Sequence, residues 1–140
     1  LGILNNVISK NYNFYESGIS FHLYATNLDY DSNNSSIVVL LKYGDTNVFF
    51  GGDIEKDRIN ELLNYNLPTC QIVKLPHHGR YNEKVVDLLN KLKSTDIIST
   101  GEIDIKIKNE YNGNYYQTYD DEIVIKIRSN SYTIKGDNNE

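Results

Sequence analysis

Two stretches decide the fold: Val48-Phe49-Phe50-Gly51-Gly52-Asp53 and Gln71-Ile72-Val73-Lys74-Leu75-Pro76-His77-His78-Gly79. Each opens as a short apolar run and closes on glycine or proline, the pattern of a strand buried on both faces. Each also ends in side chains that a core strand does not need: a carboxylate after Gly51-Gly52, and two imidazoles after Pro76. Between them Ile59, Leu62, Leu63 and Leu67 recur at helical spacing behind the charged turn Glu55-Lys56-Asp57-Arg58, and Pro68 stops the helix. Strand, helix, strand in this order predicts a right-handed parallel crossover, which puts both strand ends on one edge of a sheet. Asp53 and the His77-His78 pair then become neighbours.

The alternation continues outward from this unit. Downstream, Val85, Leu88, Leu89 and Leu92 predict a second amphipathic helix and residues 96–99 a third strand. Upstream, residues 37–43 and 47–50 flank Tyr43-Gly44-Asp45-Thr46, which predicts a hairpin. In residues 19–24, Ile19, Phe21 and Leu23 share one face and His22 takes the other, reading as a polar-face side chain. Residues 27–36, rich in Asn, Asp and Ser, read as a loop with solvated carboxylates. Leu4, Val7 and Ile8 fit a short helix, and the last residues from Gly136 are expected to fray. Ile103, Ile105 and Ile107, then Ile123, Ile125 and Ile127, alternate as edge strands around a Tyr- and Asn-rich middle, and residues 132–134 add one more. The expected fold class is α/β, a mixed sheet flanked by helices in a single domain.

Composition narrows the function. A chain of 140 residues forms one domain that buries roughly two-thirds of its unfolded surface. Its net charge of -5 gives no broad basic face for nucleic acid, and the 12 tyrosines do not interleave with Lys or Arg as a stacking platform. There is no GxGxxG or Walker loop to cradle phosphates and no GxSxG elbow. The longest apolar run, residues 37–41, is far shorter than the roughly 20 residues of a membrane span, and the first residues lack the pattern of a secretory leader. Cys70 is the sole cysteine, so neither an internal disulfide nor a Cys-based zinc knuckle forms; inside an apolar strand it reads as packing. None of this assigns a compartment.

The chemistry therefore rests on the two strand ends. Asp53 has two local readings that stay open: a metal ligand freed of obstruction by the preceding glycines, or the N-cap of the helix that follows. An extended backbone would send His77 and His78 to opposite sides, so that one binds an ion and the other assists. Arg80 follows directly and offers a donor fork to an anionic oxygen.

The ordered set Asn33-Asn34-Ser35-Ser36 with the run 37–41, Tyr43-Gly44-Asp45, Phe49-Phe50-Gly51-Gly52-Asp53-Ile54-Glu55, Val73-Lys74-Leu75-Pro76-His77-His78-Gly79 and Ile97-Ile98-Ser99-Thr100-Gly101 resembles the C-terminal half of a metallo-β-lactamase superfamily hydrolase. It is similar to the hydrolase-like domain of DNA-uptake competence membrane proteins over about residues 19–101, with a looser echo over 115–134. The resemblance implies half of an αββα sandwich with a one- or two-ion site, usually zinc, with manganese or iron as alternatives, that hydrolyses an ester or phosphoester. It implies Asp53 and His78 as metal ligands, and His77 beside them in catalysis and substrate contact, the two histidines being interchangeable in these roles. The family's first-half signature HxHxDH is absent, so the resemblance implies missing ligands supplied by an N-terminal half of the same fold or by a dimer mate. Relatives commonly carry Ser where this chain has Arg80, which points to an anionic, phosphoester-like substrate. The alternative expectation is a catalytically inactive α/β binding or assembly domain that keeps the scaffold.

Overall fold

A computed structural model describes residues 11–26, 28–118 and 121–136. The helix expected over residues 1–10 and the fraying expected after Gly136 lie outside the described residues. The first four strands, β1 (Tyr12–Glu16), β2 (Ile19–Tyr24), β3 (Val38–Tyr43) and β4 (Thr46–Phe50), form an antiparallel meander. The chain then alternates through α1 (Lys56–Leu62), β5 (Ile72–Lys74), α2 (Val85–Leu92), β6 (Asp96–Ser99), α3 (Ile105–Glu110) and β7 (Asn114–Gln117). Strands β4 to β7 run parallel, so the seven strands make one mixed sheet in sequence order. A separate hairpin, β8 (Val124–Ile127) and β9 (Tyr132–Lys135), completes the described chain. The class is α/β, as the sequence leads one to expect.

Two faces with different partners explain the apolar runs. Phe49, Val73, Ile97 and Tyr115 align across the four parallel strands and pack against Ile59, Leu62, Val85, Leu88, Leu89, Leu92 and Ile107 of the helices. All three helices of the described residues thus cover one face. On the other face Val48, Ile72, Ile98 and Tyr116 meet Ile125, Ile127, Tyr132 and Ile134 of the hairpin. Toward β1 this second face is uncovered among the described residues: Tyr12, Phe14 and Phe50 are exposed, as is Ile37 just before β3, and Phe14 stacks on Phe21 with ring centroids 4.6 Å apart.

Three local expectations change. The Ile103, Ile105, Ile107 alternation forms α3 instead of an edge strand, because the Asp104 carboxylate caps the Lys106 N–H at 2.9 Å and the chain must cross back to start β7. Ile107 is buried and Ile105 is left exposed. The Tyr- and Asn-rich middle contains a buried parallel strand, with Tyr115 and Tyr116 pointing to opposite faces. His22 does not lie on a polar face: it aligns with the buried Leu40 and packs on Tyr24 at 4.2 Å. Its Nε2 is buried and has no hydrogen-bond partner among the described residues, and burial lowers its pKa.

Candidate metal centre

The carboxyl ends of β4, β5 and β6 lie side by side, and the chain leaving each is tied to the next. Gly51 N–H donates to the Lys74 carbonyl at 3.2 Å, His77 N–H to the Gly52 carbonyl at 3.0 Å, and Leu75 N–H to the Ile98 carbonyl at 2.8 Å. Two glycines make this approach possible. A Cβ at Gly51 would sit 2.9 Å from Pro76 Cβ, and one at Gly101 only 2.8 Å from the His78 carbonyl oxygen. Gly51→Ala should therefore push the two loops apart at an overpacking cost of about 1–3 kcal/mol. A fall in the urea midpoint at unchanged m-value checks this; an unshifted midpoint refutes it.

The histidine pair departs from the expected extended backbone. Pro76–Gly79 is a tight turn in which His77 and His78 both adopt left-handed conformations, with φ of 46° and 56°. Such residues cost on the order of 1–3 kcal/mol each and persist where their surroundings hold them. What holds each ring is different. His77 Nδ1 lies 2.8 Å from Glu55 Oε1, an oxygen that also accepts from Asn33 at 3.4 Å. His78 turns away, its ring centroid 6.3 Å from that of His77. Its Nδ1 lies 2.9 Å from Thr100 Oγ1, and its Nε2 lies 3.6 Å from Asp53 Oδ1.

That last separation is too long for a hydrogen bond. It is close to the roughly 3.4 Å that separates two donors each about 2.1 Å from a tetrahedral zinc ion. Asp53 and His78 thus fit two neighbouring positions of a coordination sphere, and both side chains are half exposed or more, so further ligands have access. Among the described residues no three His, Cys, Asp or Glu side chains converge on one point.

Asp53 does not cap α1, which settles its second local reading. Asn34 does so from the preceding loop, its Oδ1 accepting from Glu55 N–H at 2.8 Å and Arg58 N–H at 3.3 Å. Ser36 Oγ meets the Asp53 N–H at 3.4 Å. Asp53 also has a cation nearby: burial lowers the pKa of Lys74, and the Asp53 charge opposes that shift. Asn34, Ser36 and Thr100 stand in the sequence inside the motifs of the resemblance but with no role of their own, because no local spacing links them to strand ends that meet in space.

Arg80 is exposed. With Glu55, Lys56, His77, Tyr81 and Asn82 it lines a shallow depression of about 320 Å³. Lys56 is paired with Glu83 at 2.5 Å and His77 with Glu55, so the guanidinium is the cation left free for a ligand in this depression among the described residues. Cys70 is fully buried, and burial pushes its thiol up to about 12, so it is inert packing. No helix among the described residues is long and apolar enough to cross a membrane. No protein-family model matches the chain, and no curated protein matches it.

Proposed function

We propose that this chain carries one edge of the metal centre of a metallo-β-lactamase-type hydrolase acting on an ester or phosphoester. The observation that supports the reading is the Asp53–His78 pair, two donors at coordination spacing on adjacent parallel strand ends. Asp53 and His78 Nε2 would hold zinc, or manganese or iron, as one or two ions. The metal, when bound, polarises the scissile bond and brings the pKa of water toward neutrality. His77, held by Glu55, lines the same depression as Arg80, and Arg80 takes an anionic oxygen of the substrate through its donor fork. The remaining ligands come from an N-terminal half of the same fold or from a dimer mate, because two protein ligands fall short of the three of catalytic zinc.

The test is elemental mass spectrometry on the chain expressed with its natural upstream sequence. One or two zinc ions per chain are expected, falling to background in Asp53→Ala with His78→Ala; a metal-free wild-type chain sinks the hydrolase. A second reading, an inactive assembly domain, draws on the exposed Tyr12, Phe14, Ile37 and Phe50, an apolar patch of the kind that seeks a partner. For that reading, the same double variant keeps wild-type metal content and cellular phenotype, while size-exclusion chromatography shows association.

A further inference from the structure

We propose that Thr100 is a positioning residue for His78: its hydroxyl fixes the imidazole so that Nε2, and not Nδ1, is presented to the metal. The inference rests on the metal-centre reading above. Thr100 Oγ1 lies 2.9 Å from His78 Nδ1, which occupies one of the two ring nitrogens and leaves the other facing Asp53 at 3.6 Å. Metal-bound imidazoles generally donate their second N–H to a partner that sets tautomer and ring orientation. Thr100 is the group that meets that nitrogen here. Turned over about its ring axis, His78 would offer carbon to the hydroxyl and lose the contact, so one orientation is selected.

Thr100 is itself exposed, and its backbone is held through its neighbours. It follows Ser99, which is fully buried at the end of β6. Ser99 is fixed on both sides: its carbonyl accepts from Thr118 N–H at 3.0 Å, and its Oγ accepts from Gly101 N–H at 3.1 Å. One residue earlier, the Ile98 carbonyl accepts the Leu75 N–H that starts the histidine turn. The same ladder that places the His78 backbone therefore places the Thr100 hydroxyl, and the absence of a side chain on Gly101 lets the two segments touch. A half-exposed imidazole on a surface turn would otherwise sample several rotamers and both neutral tautomers. Holding it ready removes that disorder from the cost of metal binding.

The experiment uses the full chain with its upstream sequence, zinc alone as the probe, and competition with a chromophoric chelator. Thr100→Val should weaken zinc binding by about 10–100-fold, and Thr100→Ser, which restores the hydroxyl, should return it to within about threefold of wild type. Nitrogen NMR of the zinc-loaded wild type should show His78 Nδ1 protonated and Nε2 metal-bound. Thr100→Val binding zinc as tightly as wild type overturns the role of Thr100 and leaves the metal centre standing. A loss that Thr100→Ser fails to restore, accompanied by a lower thermal midpoint of the metal-free protein, marks a merely structural role and overturns it too. A wild-type chain that takes up no zinc overturns the metal-centre reading itself, and the role of Thr100 with it.

Discussion

Replacing Arg58 by methionine should destabilise the protein by about 3 kcal/mol, lowering the thermal midpoint by roughly 10 °C for a domain of this size. Arg58 is fully buried in the first turn of α1. Its Nη2 donates to the Tyr24 carbonyl at 2.9 Å, and its Nη1 lies 2.7 Å from Glu61 Oε2. The second contact is an ion pair whose angle leaves Nη1, like Nε, without a directed hydrogen bond. Removing the cation strands a carboxylate in a poorly solvated place. The stranding is partial, since Thr26 and Tyr65 hydroxyls also reach Glu61 at 3.1 and 3.2 Å, which sets the estimate at the low end for a broken buried pair. Arg58→Met combined with Glu61→Gln should recover much of the loss, because no unpaired charge remains. Equal losses in the single and double variants would refute the ion-pair account.

The same pair predicts a pH signature. Burial alone would raise the Glu61 pKa; the Arg58 guanidinium 2.7 Å away, with the two hydroxyls, outweighs it and holds the carboxyl below its usual range. A depressed carboxylate contributes stability that is present above its unfolded pKa and lost as pH falls through the folded one. Without Arg58 the burial effect raises the Glu61 pKa and its acid limb is lost, so the gap in stability between wild type and Arg58→Met should narrow as pH falls through the usual carboxylate range. A gap that stays constant over that range contradicts this.

Arg58 also shows what the sequence carried and what it hid. It stands four residues before Leu62, on the apolar stripe of α1, but its place in the run Glu55-Lys56-Asp57-Arg58 makes it read as part of a solvated first turn. The parallel core was legible because Phe49, Val73 and Ile97 lie in short apolar runs separated by helical spacing, and length and period together leave few topologies. By contrast, a period-two run such as Ile103, Ile105, Ile107 also puts its ends four residues apart, so capping and the crossover to β7 decided it. The site divides the same way. Asp53 and the histidines stand at strand ends that topology forces together, so their proximity was readable. The left-handed turn at His77 and His78 was not, since non-glycine residues enter that region only when tertiary contacts hold them. Those contacts come from Glu55 and Thr100, both distant in sequence from the turn.

Asp96→Ala should cost about 3 kcal/mol and free the β8–β9 hairpin from the sheet. Asp96 begins β6 and is nearly buried, facing the hairpin side next to Ile72 in β5. Its Oδ2 accepts from Tyr132 Oη at 2.5 Å. Its Oδ1 accepts from Asn114 Nδ2 at 3.0 Å and from Tyr116 Oη at 3.4 Å. Burial and the hydrogen bond to Asp96 both raise the Tyr132 pKa, so the phenol keeps its proton and remains a donor across the ordinary pH range. One carboxylate therefore serves three donors from two sheets, and alanine would leave all three without a partner, at about 1–3 kcal/mol for each buried group. Water reaching the loosened hairpin would offset part of that sum. A two-stranded hairpin is marginal by itself, so its order depends on this tie and on the isoleucines packed beside it. Tyr132→Phe removes one of the three hydroxyl or amide donors and leaves Asp96 the other two, and should cost only about 1.5 kcal/mol. Because both substitutions break one contact, the double variant should fall short of the sum of the two. Amide exchange reads the result directly: protection in β8 and β9 should drop in Asp96→Ala while β5 and β6 keep theirs. Uniform loss across both sheets would show that Asp96 supports the whole core and not the hairpin alone.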